Sequence, residues 1–385
     1  MTQTVLLGDI CDVRDGTHDS PKPKDSGHPL VTSKHIKNHK IDFSTANLIS
    51  DEDFEVVNKR SKVDQHDILI SMIGTVGELA LIDYEPTFAI KNIGLIKTGD
   101  ELLGKYLFYY LQSTKAKQYI EASLAGSTQK FIGLGQLRKF PVELPDPETQ
   151  KKVADILGTI DEKIELNRQM NETLEQMGQA LFRHYFIDNP EAERWEDGVV
   201  SDLITIYSGY AFKRTDFDPD GDYGLVTIKN VQDGNFVPEC SDHLSSIPVK
   251  TPDYAFLNTG DILLSLTGNV GRVCIVHGEN LLLNQRVAKL VGADDKQSFA
   301  YFMFRQEEFK NRLISMSRGT AQLNLSPIET KKIKLKLPPK ELLAQYHEQA
   351  EPLFEAITAN YTEIQTLTTL RDTLLPRLIS GKVKV

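Results

Sequence analysis

The stretch DILISMIGTVGELALI, residues 67–82, returns as DILLSLTGNVGRVCIV at residues 261–276. Both copies place apolar runs on either side of a Gly-x-Val-Gly segment, which is typical of two strands joined by a tight turn. Other segments recur in the same order at an offset of about 194 residues, including 30–34 with 225–229 and 126–145 with 319–338. Because repeat arrays have periods of about 20–50 residues, this much longer period predicts a duplicated domain.

Each copy ends in a long segment with a different periodicity. Short alternating apolar runs, bounded by Gly, Asp, Asn and Pro, give way to an apolar spacing of three and four residues, which is typical of a coiled-coil seam. The seam positions are Val153, Ile156, Ile160, Ile164, Asn167, Leu174 and Leu181 in the first helix, and Leu353, Ile357, Asn360, Ile364, Leu367, Leu374 and Leu378 in the second. An amphipathic helix lying on its own domain is the alternative interpretation.

The predicted fold class is α+β. Two duplicated mixed α/β domains are joined by two long helices that form an antiparallel coiled coil, with pseudo-two-fold symmetry. The predicted boundaries are 1–148 for the first domain, 149–190 for the first spacer helix, 191–340 for the second domain and 341–385 for the second spacer helix.

Asn167 and Asn360 occupy the same position in the two helices. An asparagine in an apolar seam costs stability but fixes the register of the helices. Helices related by a two-fold axis run antiparallel, so we expect the two asparagines to meet near the centre of the pair. The alternative is that both are surface residues without a role in pairing.

Composition limits the class of protein. The 385 residues carry a formal net charge of −10, 40% hydrophobic residues and three cysteines that form no CxxC pair. No signal peptide is visible and no apolar segment approaches the roughly 20 residues that cross a bilayer. We therefore expect a reduced, cytoplasmic protein without a membrane partner. The acidic total argues mildly against nucleic acid, although basic residues cluster locally.

Two segments resemble catalytic motifs only superficially. Residues 99–105 match GxxxxGK, but Tyr106 follows where a P-loop has the Ser or Thr that holds magnesium. Glu329-Thr330-Lys331 has the Glu-x-Lys spacing of many nucleases, but its duplicate is Gln136-Leu137-Arg138. The sequence also contains no methyltransferase motif and no metal-binding histidine spacing, so it does not predict an enzyme.

Polar residues recur on the predicted turns of both halves. Arg pairs with guanine and Asn or Gln with adenine, while Lys, Ser and Thr contact phosphates. Each element alone is equally typical of an ordinary surface turn, but the recurrence favours a binding role. The candidate DNA-binding residues are Lys34, Lys37, Thr75, Lys91, Asn92, Ser127, Gln129, Lys130, Lys229, Asn230, Asn269, Gln285, Arg286, Thr320, Gln322 and Asn324.

The duplicated order of DILxSxxGxVG, an NQR-type segment, GTAQLNLS…LKLPP and a long helix resembles the specificity (S) subunit of type I restriction–modification systems over essentially the whole chain. The first half departs from this pattern, since Ile90-Lys91-Asn92 stands for Asn284-Gln285-Arg286, and residues 127–131 stand for 320–324. Recognition domains that read different half-sites are expected to differ there.

The resemblance implies a non-catalytic subunit with two target-recognition domains, which reads a bipartite target in double-stranded DNA. The implied partners are two modification (adenine methyltransferase) subunits and restriction (ATPase and nuclease) subunits. S-adenosylmethionine, ATP and magnesium are expected on those partners, and no cofactor is expected in this chain. The alternatives are a stand-alone nuclease or methyltransferase, and a coiled-coil scaffold without a DNA role.

Overall fold

The computed structural model describes residues 3–126, 129–319 and 322–383. The chain divides into two compact units, which we call unit 1 (residues 1–162 and 369–385) and unit 2 (residues 163–368). Both long helices contribute one part to each unit. Candidates Ser127 and Thr320 lie outside the described residues.

Unit 1 alternates short strands with helices. Its strands are β1 (Gln3–Leu6), β2 (Asp12–Asp15), β3 (His28–Val31), β4 (Ile36–Lys37), β5 (Lys40–Ile41), β6 (Asn47–Ile49), β7 (Ile68–Ser71), β8 (Leu79–Leu81), β9 (Ala89–Ile90), β10 (Ile93–Lys97) and β11 (Pro141–Leu144). Its helices are α1 (Leu7–Ile10), α2 (Asp51–Ser61), α3 (Glu101–Gln112), α4 (Thr114–Ala122), α5 (Leu134–Arg138) and the first part of α6 (Pro147–Phe182).

Unit 1 is organised around an antiparallel sheet in the order β2-β10-β7-β8. All four residues of β7 are buried, as its continuous apolar run indicates, because both faces of the strand are covered. Helix α3 buries all seven residues from Tyr106 to Gln112, and the first six of them lie in the same hydrophobic core. A second sheet, β6-β3-β9, contains the parallel pair β3–β9, and β1 pairs with β11.

Unit 2 repeats this sequence of elements. Its strands are β12 (Glu196–Val199), β13 (Ile204–Ser208), β14 (Tyr223–Val226), β15 (His243–Leu244), β16 (Phe256–Leu257), β17 (Ile262–Ser265), β18 (Val273–Ile275), β19 (Leu281–Leu283), β20 (Val287–Gly292) and β21 (Lys334–Leu337). Its helices are α7 (Gln297–Phe304), α8 (Glu307–Met316), α9 (Pro327–Lys331), the rest of α6 and most of α10 (Lys340–Ile379), with a π-helical turn at Arg183–Ile187.

The topology confirms the predicted duplication. The order β13-β20-β17-β18 in unit 2 repeats β2-β10-β7-β8, and β15-β14-β19 repeats β6-β3-β9. Asp67 and Asp261 each accept a backbone N–H from three residues earlier, at 2.8 Å in both units. The peptide oxygens of the same two residues accept from Ile82 and Val276, at 2.9 and 2.8 Å. Equivalent residues therefore occupy equivalent places in the two hydrogen-bond networks.

The long helices pair in antiparallel fashion within each unit. In unit 1, Val153 and Leu157 of α6 share a core with Leu375 and Leu378 of α10. In unit 2, Leu174 and Leu181 of α6 pack in a core with residues such as Phe354 and Ile357. Every predicted seam position is buried or half-buried, so the heptad interpretation is confirmed in both units.

The two seam asparagines do not bond to each other directly, although each bonds to a residue within about one helical turn of the other asparagine. Asn167 Nδ2 donates to Glu363 Oε2 at 2.8 Å, and Asn360 Nδ2 donates to Asn171 Oδ1 at 2.8 Å. Asn171 Nδ2 in turn donates to the Ile357 carbonyl at 3.3 Å. Each amide therefore bonds to a residue about one helical turn from the expected partner, because antiparallel seams place side chains in staggered layers.

The units differ in their peripheral elements. Unit 1 contains the β4–β5 hairpin and helix α2, whereas unit 2 contains β16, which pairs with β19. In the described part of the chain, no helix is both long enough and apolar enough to cross a membrane.

Candidate nucleic-acid interface

The Gly-x-Val-Gly segment forms the turn between the two central strands of each unit. In unit 1, Gly74 and Gly77 have φ values of 82° and 97°, which residues other than glycine rarely adopt. The Gly77 N–H donates to the Ser71 carbonyl at 3.0 Å and closes the turn. Thr75 lies exposed at its tip.

The same turn is built in unit 2. Gly268 and Gly271 have φ values of 75° and 82°, and the Gly271 N–H donates to the Ser265 carbonyl at 3.1 Å. Asn269 lies exposed at the tip, in the place of Thr75. The duplication has thus kept the backbone of the turn and changed the side chain that it presents.

A second loop lies beside this turn in unit 1. Ala125 and Phe131 exchange two backbone hydrogen bonds of 2.9 Å, and Phe131 also bridges to Ile73, next to the turn. Gly126 has a φ of 94°, and a Cβ there would lie 2.3 Å from a backbone oxygen. The exposed Gln129 and Lys130 are therefore held close to the Gly-x-Val-Gly turn.

In the corresponding loop of unit 2, Arg318 and Asn324 exchange two backbone hydrogen bonds of 3.0 and 2.8 Å, as Ala125 and Phe131 do in unit 1. The Gly268 N–H donates to the Leu323 carbonyl at 2.9 Å, and Thr267 Oγ1 donates to Asn324 Oδ1 at 3.0 Å. Asn324 Nδ2 donates to the Gln322 carbonyl at 3.0 Å, so the Asn324 amide is used within the loop. The Gln322 side chain is exposed and lies beside Gly268.

The third element is the short turn before β10 and β20. Asn92 and Arg286 both directly precede the strand and have left-handed φ values of 54° and 71°. The Arg286 carbonyl accepts from the Leu266 N–H at 3.0 Å, which places this residue beside the Gly-x-Val-Gly turn of unit 2. Gln285 and Arg286 are both exposed, and Lys91 and Asn92 are half-buried.

The third element differs in length between the two units, so the residue-by-residue alignment does not hold there. Thr17 and Tyr210 donate to the carbonyls of Ile90 and Leu283, at 3.0 and 3.1 Å, so those two strand ends correspond. The following strands begin at Ile93 and Val287. Unit 2 therefore has one more residue in the turn, and Ile90 is not equivalent to Asn284.

A fourth element carries Lys34 and Lys229. The Thr32–His35 turn closes with a backbone bond of 2.9 Å, and the same turn of unit 2 closes at Asn230 with a bond of 3.0 Å. Both lysines are exposed. Ser33 Oγ donates to the Asn92 carbonyl at 3.5 Å, so this turn and the third element are neighbours in unit 1.

Asn230 is buried, so it does not belong with the exposed candidate DNA-binding residues. It is only 2% exposed. Its Oδ1 accepts from the Thr227 N–H at 2.8 Å, and its Nδ2 donates to the carbonyls of Val237 and Glu239 at 2.8 and 3.0 Å. A side chain with its amide used in this way stabilises the turn and is not exposed to a duplex. The buried His35 has the equivalent place in unit 1, where its Nδ1 accepts from the Thr32 N–H at 2.8 Å.

The candidate cations differ in how far they are already neutralised. Lys37 forms an ion pair of 2.7 Å with Asp42, and its hydrogen bond holds the pKa of that carboxyl well below its usual range. Lys91 donates to the Ser20 hydroxyl. Among the described residues, the charged groups of Lys34, Lys130, Lys229 and Arg286 have no side-chain partner, so these four cations are free for a polyanion.

Sequence reasoning missed the loop that follows β2 and β13. The loop starts beside the third element, because the Gly16 and Gly209 N–H groups donate to the carbonyls of Ile93 and Val287 at 2.8 and 2.9 Å. His18 of this loop bonds directly to Asn92 in unit 1. The signal was present in the basic residues of both copies of the loop, which are Lys22, Lys24, Lys213 and Arg214.

The two superficial catalytic matches are structural features. Asp100 of the GxxxxGK segment caps α3 by accepting the Leu103 N–H at 2.8 Å, and Lys105 pairs with Glu101 at 2.7 Å. Lys332 Nζ donates a hydrogen bond to Glu329 Oε1 at 3.2 Å. Neither segment leaves its charged groups arranged around an open phosphate or metal site.

The two units match one protein family twice. The family model of the type I restriction modification DNA specificity domain matches residues 2–176 and 192–362. The chain belongs to this family. It is a specificity subunit and contributes DNA recognition rather than catalysis, so neither the stand-alone enzyme nor the scaffold without a DNA role is supported.

Individual relatives agree with this assignment. The chain is 26% identical to the type I restriction enzyme MjaIX specificity subunit of Methanocaldococcus jannaschii, over 98% of this chain and 93% of that one. It is also 26% identical to the HindI specificity subunit of Haemophilus influenzae, over 73% of this chain and 78% of the relative. The crystal structure of a type I S subunit from M. genitalium matches with a TM-score of 0.59 and 16% identity, over 98% and 96% of the two chains, and supports the fold.

Proposed function

We propose that the chain reads a bipartite target in double-stranded DNA, one short half-site with each unit, separated by a fixed spacer that is not read. The observation that carries this proposal is the recurrence of the same three loops at the same end of the central sheet in both units. The backbone of the first two loops is retained and the third differs by one residue in length, while the side chains at the tips differ, as two different half-sites would require.

The chemistry of the loops suits a division between backbone and base contacts. Lys34, Lys130 and Lys229 are exposed cations that fit phosphates, whereas Arg286, Gln285 and Asn92 lie on turns whose backbone fixes the direction of the side chain. An Arg or Asn that makes two hydrogen bonds to a base contributes about 1–3 kcal/mol of discrimination in the major groove. These roles are part of the proposal.

The acidic total charge fits a chain that binds DNA together with larger partners. We propose that two modification subunits, one for each unit, supply adenine methyltransferase activity and much of the phosphate neutralisation, and that restriction subunits add ATP-dependent cleavage. S-adenosylmethionine, ATP and magnesium are bound by those partners in this proposal. The free energy of specific binding in this chain then depends on a few base contacts rather than on its net charge of −10.

The long helices are proposed to determine the spacer. Helices α6 and α10 contain 36 and 40 residues. At about 1.5 Å per residue, they are roughly 54 and 60 Å long. Half-sites on the same side of B-DNA lie about one turn, or roughly 34–36 Å, apart, a distance that helices of this length are able to bridge.

The experiment is to map methylated adenines in cells that express the chain with its modification partner, before and after a four-residue insertion in α6. Four residues add about 6 Å to a helix, so we expect the spacer to change by one or two base pairs (about 3.4 Å per pair) while both half-sites stay the same. A Lys151→Ala variant, which changes only an exposed ion pair of α6, is the control and should leave the spacer unchanged. Altered half-sites with an unaltered spacer would contradict the proposal.

A further inference from the structure

A chain of polar contacts lies behind Asn92 in unit 1. His18 Nδ1 lies 2.8 Å from Asn92 Oδ1, and His18 Nε2 lies 3.0 Å from Asp15 Oδ2. Asp15 is 8% exposed, and its other oxygen accepts from Arg60. The imidazole is thus held between the amide of a candidate base-reading residue and a carboxylate that is itself held in place.

With the Asn92 amide in this orientation, these contacts require a particular protonation state of the ring. The amide oxygen and the carboxylate oxygens accept hydrogen bonds, and a neutral imidazole has only one N–H group. Both ring nitrogens donate only when His18 is an imidazolium. In that state Asn92 Oδ1 is occupied by His18, and the Nδ2 group of Asn92 is the part of the amide that remains available.

Loss of the Nδ1 proton to solvent reverses the amide. The remaining N–H stays on Nε2 because Asp15 accepts there, so Nδ1 becomes an acceptor. The Asn92 amide must then turn so that Nδ2 donates to His18 and Oδ1 faces outward. An outward Nδ2 pairs with acceptors such as guanine O6 and N7, whereas an outward Oδ1 pairs with donors such as the amino groups of adenine and cytosine.

Unit 2 has no equivalent device. Tyr210-Ala211 stands in the place of Thr17-His18, and Arg286 stands in the place of Asn92. A guanidinium carries donors only and stays charged at every physiological pH. The base preference that Arg286 gives to its half-site therefore does not depend on a proton.

We propose that His18 is a positioning residue that determines which edge of the Asn92 amide faces the DNA, and that its protonation changes the base preference of the half-site read by unit 1. This inference rests on the proposed function, since it assumes that Asn92 contacts a base. The ligand of Asn92 is the edge of a base. That edge accepts hydrogen bonds when His18 is protonated and donates them when His18 is neutral.

Other charged groups surround this ring. Arg60 of α2 acts through Asp15, Asp19 follows His18 in the same loop, and Lys91 adjoins Asn92 but is bonded to Ser20. Lys34 belongs to the turn whose Ser33 contacts the Asn92 carbonyl. Histidine is the side chain that in general changes its charge between about pH 5 and 8, which determines the two pH values of the test.

The test is a selection of binding sites from a randomised double-stranded DNA library by the full chain assembled with its modification partner, at pH 5.5 and pH 8.5, followed by sequencing. In the wild type, one position of one half-site should change its base preference by about fivefold or more, since that factor corresponds to one net hydrogen bond. The other half-site is the matched control within the same molecule and should stay constant.

Two variants complete the test. His18→Gln should remove the pH dependence while thermal unfolding shows an intact fold, and Asn92→Ala should remove the base preference at that position at both pH values. A wild-type half-site that keeps the same preference at both pH values would overturn the inference. Recovered sequences with no half-sites at all would instead contradict the proposed function.

Discussion

The two units share their backbone framework and differ in the side chains that fasten it to the long helices. In unit 1, Tyr109 of α3 donates to Asp161 at 2.9 Å, and Arg371 of α10 pairs with the same carboxylate at 2.9 Å. In unit 2, a tyrosine and an arginine also meet one carboxylate of α6, but the tyrosine belongs to α7 and the arginine directly follows that helix. The duplicated domain has therefore kept the chemistry of this junction and changed the helix that supplies it.

The junction of unit 2 is the more deeply buried of the two. Tyr301 donates to Glu175 at 3.0 Å, and Arg305 bonds to Glu175 at 2.5 Å, with both charged side chains only about 15% exposed. Arg305 also pairs with Asp233. In unit 1 the Asp161 side chain is 28% exposed. Water can therefore replace a lost partner more easily in unit 1.

Arg305→Ala should destabilise unit 2 by about 3–5 kcal/mol, because it leaves the Glu175 carboxylate buried without its cation. Urea unfolding monitored by circular dichroism measures this loss. The matched Arg371→Ala variant in unit 1 should cost less, since Asp161 is closer to solvent. Equal losses in the two variants would contradict the proposed difference between the junctions.

Arg194→Ala is the control for both variants. Arg194 forms an i,i+3 ion pair with Glu191, and their side chains are 78% and 58% exposed. Exposed pairs of this kind are worth about 0–1 kcal/mol, so this variant should unfold at nearly the same urea concentration as the wild type.

The two units also cap an equivalent helix differently. Asp100 caps α3 of unit 1 from the adjacent residue, by accepting the Leu103 N–H at 2.8 Å. In unit 2 the cap of α7 comes from α10, where Glu351 accepts the backbone N–H groups of Gln297 and Ser298 at 3.0 and 3.1 Å. Burial by itself raises the pKa of Glu351, but these bonds and His347 together lower it to about 2.

Acid should therefore weaken unit 2 through Glu351. Since its folded pKa lies below the unfolded value of about 4.5, the carboxylate stabilises the fold above pH 4.5, and this stabilisation is lost as the pH falls towards 2. The contribution is about 3 kcal/mol at neutral pH. Urea unfolding of wild type and Glu351→Gln at several pH values from 7 to 3 should show a difference that is unchanged above about pH 5 and shrinks below it. A constant difference would mean that the Glu351 carboxylate does not act as this cap.

The next prediction concerns base recognition by unit 2. Arg286→Ala should weaken binding to the cognate target by about 1–3 kcal/mol if the guanidinium contacts a base edge. The fold should be unchanged because the side chain is exposed, and thermal unfolding checks this. Binding measured on the cognate duplex and on a duplex altered only in one half-site separates the possible roles. A loss that is equal on all sequences would make Arg286 a phosphate contact.

Sequence alone predicted the parts of the fold that depend on local pattern. The Gly-x-Val-Gly turn and the Asp67–Asp261 equivalence are visible in the sequence because glycine and a capping carboxylate have fixed positions relative to the strands. The coiled-coil seams are visible because burial on one helix face requires a heptad spacing. Antiparallel pairing within each unit agreed with the expectation drawn from the duplication.

The rest depended on tertiary contacts that no local pattern specifies. In the sequence, Asn230 follows a lysine and resembles an exposed amide. The turn instead folds its side chain inward, where it donates to two backbone carbonyls. His18 was missed because its partner, Asn92, is 74 residues away. The seam asparagines found partners one turn from the expected ones, because spacing along one helix does not determine the stagger of the other.

The two seam asparagines should respond with opposite signs to replacement by leucine. Asn167 is 0% exposed, and its Oδ1 has no hydrogen-bond partner among the described residues, while its Nδ2 bonds to the half-exposed Glu363. Asn167→Leu removes this unsatisfied oxygen and lets Glu363 bind water, so we expect a gain of about 0.5–1 kcal/mol. Asn360→Leu should instead cost about 1 kcal/mol, because the buried Asn171 Oδ1 would lose its donor. Urea unfolding of the two single variants and the double variant measures both effects, and destabilisation by Asn167→Leu would show that this asparagine contributes to the seam through a contact other than its bond to Glu363.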